Sequence, residues 1–87
     1  MKKYEIQLEK PAVKFIRRLP KSEKERILRA IAGLPVNGDI KRLQGPHGKG
    51  MFRLRVGSYR ILYIVKEEQL VVCVVDAGNR GQIYNDL

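Results

Sequence analysis

The stretch FRLRVGSYRILY, residues 52–63, decides the fold. Gly57 and Ser58 separate two alternating runs, which is a hairpin signal, and Gly57 stands where a type II′ turn takes glycine. A two-residue turn pairs Val56 with Tyr59, Arg55 with Arg60, Leu54 with Ile61 and Arg53 with Leu62. Side chains alternate faces along a strand. Arg53, Arg55 and Arg60 therefore share one face, with Leu62 and Ile64 farther from the turn. The other face carries Leu54, Val56, Tyr59, Ile61, Tyr63 and Val65 and is expected to meet helices. Arg55 and Arg60 stand directly opposite each other. Like charges in that relation are destabilising, and the hairpin itself contains no carboxylate to offset them.

Outward from the hairpin, each segment has its own signature. YEIQLE alternates over Tyr4, Ile6 and Leu8 and reads as a first strand. Pro11 suits the first turn of a helix. Val13, Phe15, Ile16 and Leu19 follow helical spacing, and Pro20 stops it. Ser22 and Glu25 have the spacing of a capping box. Ile27, Leu28, Ile31 and Leu34 then predict an apolar stripe on a second helix that ends near Gly33 and Pro35. Lys21, Lys24, Arg26 and Arg29 occupy its other surfaces. So short a link predicts a helical hairpin. A strand is expected over Ile40 to Leu43, followed by the basic loop GPHGKG. KEEQ is a second turn. LVVCVVDAG is apolar without alternation, as in a strand covered on both faces. GNRGQIYNDL is expected to form a loop and a short C-terminal helix, with Asn79 as its cap. The order β-α-α-β-β-β-(α) is α+β. It predicts a twisted, mostly antiparallel sheet with an N-terminal helical hairpin on one side, in one domain spanning residues 1–87.

Composition narrows the partners. The 87 residues include 18 Lys plus Arg against 9 Asp plus Glu, a formal net charge of +9. Such an excess points to a polyanionic partner, either nucleic acid or an acidic protein, with a merely soluble basic protein as the simpler alternative. The lone cysteine excludes an internal disulfide. Cys73 lies in an apolar run and reads as a packed small hydrophobe. The sequence contains no apolar run of membrane-spanning length and no signal-peptide pattern, so a soluble, cytoplasmic protein is expected.

The arginine face suggests a chemistry. Arginine presents a planar fork suited to phosphate, although a solvated basic face, with each side chain in water, is the simpler alternative. Arg80 and Tyr84 lie four apart, on one face if their segment is helical. A phenol in a basic field favours its phenolate, which can accept a proton from a ribose 2′-hydroxyl. Arginines can stabilise the charge that grows on a pentacoordinate phosphate. Together these give metal-free RNA cleavage that leaves a cyclic phosphate. Tyr84 as a residue sealing the sheet edge is the structural alternative. Lys41, Arg42 and Lys49 extend the expected RNA-binding surface. His47 has no partner at metal-ligand spacing and reads as a loop residue, so neither metal nor cofactor is expected. Asp76 is expected to pair with an arginine or cap the loop.

The ordered set Y-x-I-x-L, P-A-x-K-x-x-R-x-L-P, K-R-L-Q-G, F-R-L-R-V-G-S-Y-R-I-L-Y and D-A-G-N-R-G-Q-I-Y resembles the RelE/ParE toxin superfamily across nearly the whole chain. The resemblance implies the RelE fold and one of two activities. RelE-type members cut messenger RNA in the ribosomal A site, whereas ParE-type members inhibit DNA gyrase by binding. It further implies that Arg60 stabilises the transition state, Arg80 assists the leaving 5′-oxygen, and Tyr84 acts as base or stacks on a base. Arg53 and Arg55 match two basic residues before the turn. The best-known bacterial member has lysines there, and arginines are better clamps than proton donors. A further basic residue of that member falls on Gln44. The implied partners are the ribosome with messenger RNA, ribosomal RNA contacts through the basic surfaces, and a small acidic antitoxin. Three readings follow: a ribosome-dependent endoribonuclease, a gyrase-binding toxin, and an RNA-binding module without catalysis.

Overall fold

A computed structural model describes residues 4–43 and 50–79. Its elements are β1 (Glu5–Leu8), α1 (Lys10–Arg17), α2 (Lys21–Ala32), β2 (Asp39–Arg42), β3 (Phe52–Val56), β4 (Tyr59–Lys66) and β5 (Val71–Asn79). The strands form a mixed five-stranded sheet in the order β1-β5-β4-β3-β2, parallel between β1 and β5 and antiparallel elsewhere. Helix α1 lies on β5 and α2 reaches β3, so both helices cover one face of the sheet. The expected C-terminal helix and the loop GPHGKG, apart from its last residue Gly50, lie outside the described residues.

The β3–β4 hairpin has the register that its turn predicts, with Val56 opposite Tyr59 and Arg55 opposite Arg60. Gly57 adopts φ +59°, a left-handed value that a type II′ turn requires at its first central position. Against the helices the sheet buries Leu54, Val56, Ile61, Tyr63, Val72, Val74 and Ala77. Tyr63 stacks on Phe52 at 5.5 Å between ring centroids. Phe15 of α1 meets Tyr59 edge-on at 5.8 Å, which ties the first helix to the hairpin.

The helices differ from expectation in detail. On α1 the buried residues are Ala12 and Ile16, with Phe15, and Leu19 just past the helix end, packed at the margin. In α2 the core stripe is Ile27 and Ile31, continued by Leu34, whereas Leu28 is 40% exposed. Leu28 lies one residue, or about 100°, around the helix from Ile27 and so points away from the sheet. The capping box does not form. Helix α2 begins at Lys21 with Pro20 as its N-cap and no side-chain cap. The Pro20 carbonyl accepts the Lys24 N–H at 2.9 Å. This places Ser22 inside the helix, where it cannot cap.

Two strand boundaries also move. Strand β2 starts at Asp39, one residue early, because Gly38 turns the chain there at φ +122°. Strand β5 continues to Asn79, which pairs with Tyr59; the helix it is expected to cap lies outside the described residues. Between Leu62 and Tyr63 the β4–β5 register shifts: Tyr63 faces Val74 but Leu62 faces Asp76, which leaves Val75 as an extra residue. Strict alternation from Val74 would turn Asp76 into the core. The bulge resets the pleat, so that Ala77 enters the core and Asp76 joins the opposite face.

Gly38 offers a test of the β2 entry. A Cβ there would lie 2.5 Å from Leu54 Cδ1 in the core, on a backbone that L-residues avoid. Gly38→Ala is expected to lower stability by roughly 1–3 kcal/mol through strain and overpacking. Urea unfolding should show a reduced midpoint with an unchanged m-value.

Candidate nucleic-acid interface

The register sets out the face that turns away from the helices as two rows. Nearest the hairpin turn run Asp39 on β2, Arg55 on β3, Arg60 on β4 and Gly78 on β5. The next row holds Lys41, Arg53, Leu62 and Asp76. All three hairpin arginines share this face, as alternation predicts. Beyond them the face is apolar, with Leu62, Val71 and Cys73 buried.

The arginines do not share one environment. Arg53 and Arg60 are each only 8% exposed, whereas Arg55 is open to solvent. The alternative of three guanidinium groups splayed into water therefore fails for two of them. Separation in depth eases the Arg55–Arg60 repulsion, because the exposed charge is screened by water. Glycine at position 78 adds no side chain beside Arg60.

A carboxylate from outside the hairpin supplies further compensation. Asp39 stands opposite Arg55, and its Oδ1 lies 3.6 Å from Arg53 Nη2. Arg53 Nε is buried and finds no hydrogen-bond acceptor among the described residues. Asp76 reaches the same face through the β5 bulge, where its Oδ1 accepts the Ala77 N–H at 2.8 Å. Sequence reading misses Asp39, since its role depends on β2 starting one residue early. The only available signal is its place directly after Gly38.

The remaining expected site residues fall in different places. Lys41 is exposed on the arginine face, opposite Arg53. Arg42 is exposed on the other side of the same strand. It opposes Phe52 and so belongs to the helix-side face of the edge strand, because alternation along β2 separates it from Lys41. Arg80, Tyr84 and Lys49 lie outside the described residues, as do His47 and Gln44. Arg26 of α2 adds a cation at the hairpin tip. Its guanidinium lies where a Cβ on Gly57 would be, with the nearest nitrogen 2.9 Å from that position. Among the described residues, no group of three His, Cys, Asp or Glu is arranged to hold a metal ion.

Cys73 is buried, as its apolar run predicts, and its thiol donates to Glu9 Oε1 at 3.2 Å. Burial first, then the hydrogen bond and charge of Glu9, push the thiol pKa above its ordinary 9.0, against a smaller opposing effect of Lys66. The group is a neutral donor and no nucleophile.

These features define a class: a small basic α+β protein whose sheet carries helices on one side and a set of guanidinium groups on the other. The profile of the family described as "ParE toxin of type II toxin-antitoxin system, parDE" matches residues 6–84, and the chain belongs to that family, within the RelE/ParE superfamily. The chain is 26% identical over 90 residues to a curated Methanocaldococcus jannaschii protein named RelE1, covering 97% of this chain and 98% of the relative. Its fold is RelE-like. The archaeal RelE–RelB complex from Pyrococcus horikoshii OT3 superposes with a TM-score of 0.74 at 27% identity, over 92% of this chain and 98% of the other. The toxin–antitoxin complex RelBE2 of Mycobacterium tuberculosis gives 0.75 at 22% identity, over 88% and 98%.

The Cys73–Glu9 contact has a pH signature. The folded thiol holds its proton to higher pH than the unfolded one. Its contribution to stability is therefore complete below pH 9.0 and is lost as pH rises through the folded value. Tyr63, raised by burial above its ordinary 10.0, acts in the same sense at higher pH. Urea unfolding across alkaline pH should show a shallower decline in Cys73→Ala than in the wild type.

Proposed function

We propose that this type II toxin is a ribosome-dependent endoribonuclease that cuts messenger RNA in the A site. The observation that carries the reading is the clustering of Arg53, Arg55 and Arg60 on one sheet face, with two of the three buried. Buried guanidinium groups are held in place before substrate arrives, and preorganised charge is what stabilises a transition state. Arg60 faces the scissile phosphate and takes up the charge that grows as the 2′-oxygen attacks. Arg53 and Arg55 clamp the neighbouring backbone. By family resemblance Arg80 protonates or stabilises the leaving 5′-oxygen, and Tyr84 removes the 2′-hydroxyl proton or stacks on a base. Charge stabilisation by guanidinium groups makes the step metal-free. The set has no strong general base, so the ribosome must supply much of the rate by positioning the message.

A cognate antitoxin is the second partner of this reading. The Pyrococcus and Mycobacterium neighbours were both solved as toxin–antitoxin complexes. A chain of formal charge +9 suits a small acidic protein that covers the basic face. On this reading the toxin acts in the cytoplasm, where ribosomes translate.

Gyrase inhibition by contact alone is the competing reading. It is favoured by the matched family's description as the ParE toxin. A bacterial translation extract separates the two. Mapping of messenger 5′ ends should show new ends within codons only when ribosomes are present. Arg60→Ala, Arg80→Ala and Tyr84→Phe are each expected to reduce them by roughly 10²-fold or more. Arg60→Lys, monitored by thermal melting, distinguishes a lost guanidinium from a lost fold. Intact messages together with loss of DNA supercoiling would establish the gyrase reading in place of cleavage.

A further inference from the structure

Within the cationic face one carboxylate stands among the arginines. Asp39 is directly opposite Arg55 and 3.6 Å from Arg53 Nη2 through Oδ1. The contact is longer than a hydrogen bond, and the two partners differ in exposure: the Asp39 side chain is 60% exposed and that of Arg53 9%. Arg53 is thus fixed, while water competes for the carboxylate. The Arg53 donors are not used up. Nε and Nη2 share the edge of the guanidinium that takes a carboxylate or phosphate in bidentate fashion. Nη2 leans on Asp39, and Nε is buried without an acceptor among the described residues.

We infer that Asp39 is an affinity-determining residue of this face, an internal counter-ion that occupies one phosphate position and is displaced when the RNA backbone binds. The inference rests on the reading of the face as RNA-binding. Three groups surround the carboxylate on its own face: Arg55 opposite, Arg53 diagonal, and Lys41 two residues along β2. Its negative charge lowers the potential of all three. An incoming phosphate must therefore replace an existing partner as well as release its own counter-ions. Asp39 offsets the repulsion among the arginines in the free protein, at the cost of one backbone contact in the complex.

The test uses the full chain and a short single-stranded RNA with deoxyribose at every position open to cleavage. Binding is read by fluorescence anisotropy over a range of salt concentrations. Asp39→Asn is expected to bind about fivefold tighter at low salt. Its slope of log affinity against log salt should steepen by about 0.7, the value for one more neutralised phosphate on a single strand. Asp39→Glu should restore wild-type affinity and slope. In an Arg53→Met background, the effect of Asp39→Asn should shrink by at least half. Asp39 is exposed, so thermal melting should verify an intact fold for each of its variants. Equal affinity and slope in Asp39→Asn and wild type would overturn the inference and leave the RNA reading standing. Failure of the wild-type chain to bind the RNA at low salt would overturn both.

Discussion

The register of β3 against β4 is the constraint on which the rest of the molecule depends. Gly57 sets it through a positive-φ turn, and the alternation of the two strands does the rest. A slip of one residue would turn one strand over against the other, driving either Arg53 and Arg55 or Arg60 into the core, and either Leu54 or Ile61 and Tyr63 out of it. Burying those three hydrophobic side chains is worth about 1.5–3 kcal/mol each. The penalty for a directly opposed like-charged pair is about 0.2–1 kcal/mol. The hydrophobic face wins by a wide margin, so the chain tolerates the Arg55–Arg60 opposition. The charge cluster is a consequence that the fold can support.

How the fold supports it is a matter of depth and counter-charge. Arg60 and Arg53 sink against the sheet while Arg55 stays in water. Asp39 arrives from β2 because the chain turns at Gly38, and Asp76 arrives from β5 because Val75 interrupts the pleat. Two backbone irregularities thus bring carboxylates to the margins of one basic face. The arrangement leaves buried guanidinium groups held in place beside an open one. Such a face suits a phosphodiester backbone, whose charges repeat at short intervals.

The opposite face shows how unequal the signals of helix and strand are. In the strands period-two alternation separated inside from outside at nearly every hairpin position. In α2 Leu28 is as apolar as Ile27 and belongs to the same stripe, although only Ile27 is buried. A helix stripe is wide, and which edge of it is covered depends on how the helix is laid down. The Ser22 cap failed for a similar reason. Pro20 already had the extended backbone and free carbonyl that start a helix, and nothing local ranked one start above the other.

What the chain determined by itself was therefore everything that rests on neighbours in sequence: the hairpin turn, its register, the shared face of Arg53, Arg55 and Arg60, and the burial of Cys73. These follow from torsional preference and alternation over a dozen residues or fewer. The tertiary structure decided which arginines are buried, that Asp39 and Asp76 accompany them, and that Arg42 parts from Lys41. Those outcomes depend on strands remote in sequence, on where each begins, and on one extra residue in β5. Strand pairing converts a shift of one position into a change of face, and no local pattern carries that information.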